Sequence, residues 1–186
     1  MANRADITPE LLRQLLRYEP ETGKLFWKPR TVDLFKDMRC FNSWTARFSG
    51  KEALTARNTK GYYVGTILGN DYSAHRAAWT LYHGFWPVGD IDHINGNPSD
   101  NRASNLRDVS RTENCKNAKI STNNKSGVTG VSYWRRGNKW RVQIKSENKV
   151  IHIGYYKNFQ DAVTARRQSE ADYGFHSNHG RIGPLL

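Results

Sequence analysis

Residues 140–145 alternate strictly: Trp140, Val142 and Ile144 interleave with Arg141, Gln143 and Lys145. A period of two is the side-chain spacing of a β-strand, so this segment has one apolar face to bury and one basic, polar face to leave exposed. Gly137 and Asn148 bracket it as turn residues, which predicts strand, turn, strand, turn, strand and then a helix within residues 133–174. That helix is predicted over about residues 159–173, with Ala162, Val163, Ala165 and Ala171 covering the apolar face and Trp140 in the core.

Elsewhere the patterns are helical or mixed. In TPELLRQLLRY, Thr8 is placed as an N-cap, Pro9 suits the first turn, and Leu11, Leu12, Leu15 and Leu16 form one packing stripe. ETGKLFWKP reads as a turn into a short strand, and residues 30–60 read as loop-rich. GYYVGTILGNDY suggests a strand pair, and SAHRAAWTLYHG suggests a helix packed through Ala74, Ala77, Ala78 and Leu81. A further helix is expected over residues 111–119, and the small polar stretch KISTNNKSG has linker composition. No internal repeat is evident, so the chain reads as two unlike modules of an α+β protein. Their bounds are an N-terminal region at 1–118 with its core at about 61–118, a linker at 119–127, a second domain at 128–177 and a tail at 178–186.

The chain has 29 Lys and Arg against 17 Asp and Glu, a net charge of +12 that creates a field attractive to polyanions. Residues 119–186 hold 12 basic and 4 acidic side chains, so the surplus concentrates where the alternating strand lies. No basic amphipathic helix and no long apolar run argues for a membrane partner, and the N-terminus has no signal pattern. A soluble, cytoplasmic protein is expected. Cys40 and Cys115 form no CxxC pair and are expected to be packing residues rather than zinc ligands or a disulfide framework.

The stretch IDHINGNPSDNRASNLRDVSRTEN, residues 91–114, carries the chemistry. Its asparagines and glycine suit an ordinary turn, but the ordered set of Asp92, His93, Asn105 and Asn114 offers more. Hydrolysing a phosphodiester needs a base to activate water and a cation to neutralise charge on the phosphate. His93 titrates near neutrality and can be that base. Asp92 supplies a hard oxygen beside it, and Asn114 an amide oxygen from a following helix. Such an oxygen-only site, completed by water and phosphate, suits Mg²⁺ or Mn²⁺ better than zinc.

DHINGNPSDNRASNL followed by the Asn of TEN resembles the HNH, or ββα-metal, endonucleases of phages and mobile introns. The resemblance implies a strand, loop and helix holding one divalent ion, with Asp92 and Asn114 as metal ligands and His93 as general base. It also implies that Asn105 pins the loop and positions the active-site backbone. Asn114 stands where the family often has His, which argues against tight nickel or zinc binding. The upstream helix with His75 and Arg76 also recurs in this family's layout, and His75 reads as a packing or phosphate-contacting residue. His83, His176 and His179 read as surface or capping residues.

Residues 127–176, with SGVTGVSYW, NKWRVQI, HIGYY and FQDAVTARRQSEADYG, resemble the AP2 DNA-binding domain, a three-stranded sheet backed by one helix. The resemblance implies that the sheet lies on the major groove with Ser132, Trp134, Arg136, Arg141, Gln143, Lys145 and His152 facing DNA. Alternation gives the same face for Arg141, Gln143 and Lys145. Ser132 stands where plant members usually have arginine, so no target sequence carries over.

The expectation is a metal-dependent DNA endonuclease of phage or homing type, acting on double-stranded DNA in the host cytoplasm and leaving 3′-hydroxyl and 5′-phosphate ends. A single site per chain would nick, and whether the chain is a monomer or a dimer stays open. The alternatives are a non-catalytic DNA-binding protein with a structural HNH remnant, and an RNA-directed nuclease.

Overall fold

A computed structural model describes residues 7–118, 120–147, 149–177 and 179–180. The chain divides into two compact units, Met1–His93 with Asn97–Asp108, and Ile94–Gly96 with Val109–Leu186. Helices and small antiparallel sheets alternate in both, an α+β composition.

The first unit opens with α1 (Pro9–Leu15), where Thr8 accepts a hydrogen bond from Leu11 N and Pro9 occupies the first turn. The helix is shorter than the leucine stripe predicts. Leu16 turns extended and starts β1 (Leu16–Glu19), which pairs antiparallel with β2 (Lys24–Trp27). Leu12, Leu15 and Leu16 are all buried, because the stripe continues into the core through a strand rather than another helical turn. Residues 30–60 are more ordered than expected. They contain α2 (Met38–Phe48), N-capped by Asp37, whose Phe41, Trp44 and Phe48 join Phe35 and Trp27 in an aromatic cluster. A meander follows, β3 (Ala56–Arg57), β4 (Tyr63–Ile67) and β5 (Asn70–Ser73), leading into α3 (Ala74–His83).

Small residues let α3 sit deep: Ala74, Ala77 and Ala78 are buried, and Ala74 and Ala77 pack among Leu12, Leu25, Leu54 and Ile67. Gly84 ends the helix at φ 90°, a left-handed conformation that glycine adopts without Cβ strain. The chain then enters β6 (Asp90–His93), which pairs with β7 (Leu106–Val109). Between them run the asparagine-rich loop and a 3₁₀ turn, Ala103–Asn105. Ala78, Ile91 and Leu106 form a second small core that fixes β6 against α3.

In the second unit α4 (Arg111–Lys116) begins with a reciprocal capping box between Ser110 and Glu113. It is shorter than the expected helix, whose last residue, Lys119, lies outside the described residues. A three-stranded antiparallel sheet follows in the order β8 (Val131–Trp134), β9 (Lys139–Ser146), β10 (Lys149–Tyr156). The first turn is made by Arg135–Gly137 and Asn138; the expected turn residue Asn148 lies outside the description. In the expected tail, residues 178 and 181–186 also lie outside it.

Helix α5 (Phe159–Asp172) packs across all three strands. Val131, Val142 and Ala162 form the core, with Trp140 against Phe159 at 4.6 Å between ring centroids. The expected helix face is corrected at Ala171, which is exposed; Arg166, Ser169 and Glu170 are buried instead. Arg166, 2% exposed, is satisfied on three sides: Nε donates to Glu170, Nη1 to the Gln143 carbonyl, and Nη2 meets His179 Nε2. Gly130 makes this possible, since a Cβ there would collide with the Gln143 carbonyl and the Arg166 guanidinium. Cys40 and Cys115 are both exposed free thiols, contrary to the packing role expected of them.

Candidate functional site

Strand β6 carries Asp92 and His93, both buried, at 7% and 4% exposure. His93 Nε2 lies 3.0 Å from the Oδ1 of Asn101, itself 3% exposed. An amide oxygen only accepts, so Nε2 carries the proton and Nδ1 is the basic nitrogen. Burial pushes the imidazole below its ordinary pKa, opposed by the Asn101 bond and the charges of Asp92 and Asp100. Asn101 is anchored in turn, because its carbonyl accepts the Tyr18 hydroxyl at 2.7 Å.

Two aromatic rings wall in His93. His75, from α3, stands edge-on to it at 5.4 Å between centroids, and Tyr62 lies 5.7 Å from His93 and 5.0 Å from His75. Burial, with lesser contributions from His93 and Arg76, lowers His75 to about 3, so it is a neutral ring at any working pH. Its Nδ1 is buried without a hydrogen-bond partner among the described residues. The packing expectation for His75 therefore describes its contacts. The adjacent Arg76 donates to the carbonyls of Pro87 and Gly89, bracing the turn that leads into β6.

Asp92 points its Oδ2 at Arg107 on β7, receiving Nε at 2.9 Å and Nη2 at 2.7 Å. Asn105, 6% exposed, donates through Nδ2 to the Asp100 carbonyl at 2.8 Å and so ties the loop to the start of β7. Asn114 lies on α4, in the second unit. The first unit thus brings Asp92, His93 and Asn105 together on β6, β7 and their connection. Sequence reasoning missed Tyr62, Asn101 and Arg107. Asn101 was one asparagine among several, and Arg107 shows its pairing only once β6 and β7 are aligned.

On the second unit, cross-strand register places Ser132 opposite Arg141 and His152 opposite Gln143. Ser132, Trp134, Arg141, Gln143, Lys145 and His152 consequently share the sheet face away from the core, and Arg136 lies in the exposed turn beside it. The register slips between His152 and Gly154, which brings Tyr155 opposite Arg141 on the same face. Tyr155 rests against Trp134 at 4.7 Å and His152 at 4.6 Å, an aromatic group that strict alternation would have put on the other side.

Comparison with known proteins gives a family match and a relative. Residues 72–116 match the family model described as HNH endonuclease, a span running from the end of β5 through His75, Asp92, His93 and Asn105 to α4. Among individual proteins, Protein 3.8 of Escherichia phage T7 is 37% identical over 76 residues, covering 40% of this chain and 63% of that protein. The chain thus matches less than two thirds of that relative's length. No solved structure matches. Among the described residues, no helix is long and apolar enough to cross a membrane.

Proposed function

We propose that this protein is a metal-dependent DNA endonuclease of phage or homing type in which His93 is the general base. The observation that carries the reading is the buried His93 held through Nε2 by Asn101, which makes Nδ1 the nitrogen able to take a proton from an attacking water. His93 takes the proton from that water as its oxygen bonds to phosphorus. The bond to the 3′-oxygen breaks, leaving 3′-hydroxyl and 5′-phosphate ends. Asn105 holds the loop backbone through the Asp100 carbonyl while this occurs.

The oxygen donors proposed for the metal are Asp92 and Asn114. A carboxylate and an amide oxygen suit a hard ion, and no group of three or more His, Cys, Asp or Glu that could hold a metal occurs among the described residues. The donor chemistry therefore fits Mg²⁺ or Mn²⁺, which when bound would neutralise charge on the phosphate. Arg107 fixes the orientation of Asp92 by holding Oδ2.

In the same proposal, residues 1–118 form the nuclease region, 119–127 a linker and 128–177 an AP2-like domain, with 178–186 as a tail. The face bearing Ser132, Trp134, Arg136, Arg141, Gln143, Lys145 and His152 would grip double-stranded DNA in the host cytoplasm. Arg141 and Gln143 can read base edges, while Lys145 suits a phosphate. Tethering raises the local concentration of the nuclease at its target.

One observation favours a second reading, a DNA-binding protein without catalysis: Arg107 already neutralises the carboxylate proposed for the metal. Supercoiled plasmid incubated with wild type and His93→Ala, in Mg²⁺, Mn²⁺ or EDTA, separates the two. Nicking by wild type alone, and only with metal, supports the nuclease. DNA binding without cleavage by either protein, over a broad mixture of sequences, supports the second reading.

A further inference from the structure

The second unit contains a cavity of about 450 Å³, within the size range of small-molecule sites. Its walls come from α4, the open end of β9, α5 and the segment after α5. Ile144, Val150 and Phe175 give it an apolar side. Arg111, Lys116, Lys145 and Arg166 surround it with cations, against one lining carboxylate, Glu147. Lys116 spends one of its three N–H groups on the Tyr173 carbonyl, 2.7 Å away, and keeps the others for a ligand.

One lining side chain, Thr129, carries a buried polar atom, Oγ1, with no hydrogen-bond partner among the described residues, while the His179 ring bonds to the Lys116 backbone. His179 is 7% exposed. Its Nε2 faces the Arg166 guanidinium at 3.3 Å and must accept, so the neutral ring carries its proton on Nδ1, a buried donor. Burial, opposed by the Glu170 charge, holds this imidazole below its ordinary pKa and keeps it neutral. The surface role expected of His179 is thereby corrected.

We infer that the cavity binds a nucleoside 5′-monophosphate, either free or as the 5′-terminal nucleotide of a DNA strand. A planar base with an apolar face matches Ile144, Val150 and Phe175, and a phosphate matches the lysines and arginines. Inorganic phosphate alone would leave the apolar side unfilled. The inference does not rest on the proposed catalytic residues, since none of Asp92, His93, Asn105 and Asn114 lines the cavity, although Gln143 and Lys145 are shared with the sheet face proposed to grip DNA.

Cys115 lines the cavity and is an exposed thiol, so it serves as a reporter once Cys40 is replaced by serine. The experiment measures alkylation of Cys115 by iodoacetamide in EDTA, with dTMP, dAMP, thymidine, inorganic phosphate, or oligonucleotides with and without a 5′-phosphate. Mass action predicts saturable protection by a mononucleotide or a 5′-phosphorylated strand, about fivefold at a concentration about four times Kd. Protection by the mononucleotide identifies a free ligand, and protection by the phosphorylated strand alone identifies a strand end.

Val150→Trp, at a position 64% exposed, should block the cavity without disturbing the core and abolish protection, and Thr129→Val should weaken it. The inference is overturned if no nucleotide protects. It fails equally if inorganic phosphate protects as well as dTMP, or if a 5′-hydroxyl strand protects as well as a phosphorylated one. Unchanged protection in Val150→Trp would likewise overturn it.

Discussion

The Nε2 of His93 and the Oδ1 of Asn101 stand 3.0 Å apart, and both residues are buried. This bond sets which imidazole nitrogen is basic, so Asn101 is a positioning residue in the proposed reaction. Asn101→Ala should lower plasmid nicking by about 10- to 100-fold, as loss of a partner that orients a site histidine typically does. KM for DNA should be unchanged, because Asn101 is not on the sheet face proposed to grip DNA. A matching loss of DNA affinity, or full activity in a folded variant, would sink this role.

Arg107 and Asp92 form a half-buried ion pair, with side-chain exposures of 35% and 8%. Arg107→Met strips this cation from a buried carboxylate, which costs stability. The melting temperature of the variant in EDTA should fall below that of wild type. A divalent ion that binds the native carboxylate stabilises by mass action, so Mn²⁺ should raise the melting temperature of Arg107→Met more than that of wild type. An equal rise in both proteins would remove Asp92 from the proposed ligand set.

His75 supplies an acid-sensitive contribution to stability. In the folded protein it is lowered to about 3, so below its ordinary value of 6.5 the unfolded chain binds a proton that the folded chain refuses. Stability from this residue is complete above the unfolded value and is lost as pH falls from there toward the folded value. The loss between pH 7 and pH 5 is roughly 2 kcal/mol. Urea unfolding of wild type and His75→Gln at both pH values should show the smaller acid loss in the variant; identical losses would show that His75 takes up its proton in the folded protein.

The outer sheet face predicts two kinds of defect in DNA binding. Lys145→Ala should weaken binding to all sequences and reduce the slope of log affinity against log salt by about 0.9, the value for one lost phosphate contact. Gln143→Ala should instead relax discrimination at one base position, costing about 1–3 kcal/mol on the preferred sequence alone. Titrations of labelled duplexes across salt concentrations separate these patterns. Loss of neither affinity nor discrimination would mean that DNA does not lie on this face.

Much of this arrangement was legible in local patterns. The alternation through Trp140, Val142 and Ile144 did indicate a half-buried strand, and the alanines of α3 did indicate a deeply packed helix. Helix α2 was hidden because its surface is mostly polar and none of its residues is fully buried. Its signals were the Asp37 cap and the aromatic spacing Phe41, Trp44, Phe48. The end of α1 was misread because Leu16 satisfies a helical stripe and a strand equally well. At the site, Asp92, His93 and Asn105 stood out by type and spacing. Tyr62, Asn101 and Arg107 reach them only through tertiary contacts, and no local period encodes those.

The slip between His152 and Gly154 does more than bend β10. It acts as a reading-frame change within a single strand: residues before it and after it obey opposite parity, and the slip absorbs one inserted position, Ile153, while Tyr155 keeps its place opposite Arg141. Deleting Ile153 would remove the extra residue and leave Tyr155 opposite Arg141 by plain alternation, with Tyr156 still opposite Trp140. A strand one codon shorter would thus display the same surface, with its ends and the turn before it left alone.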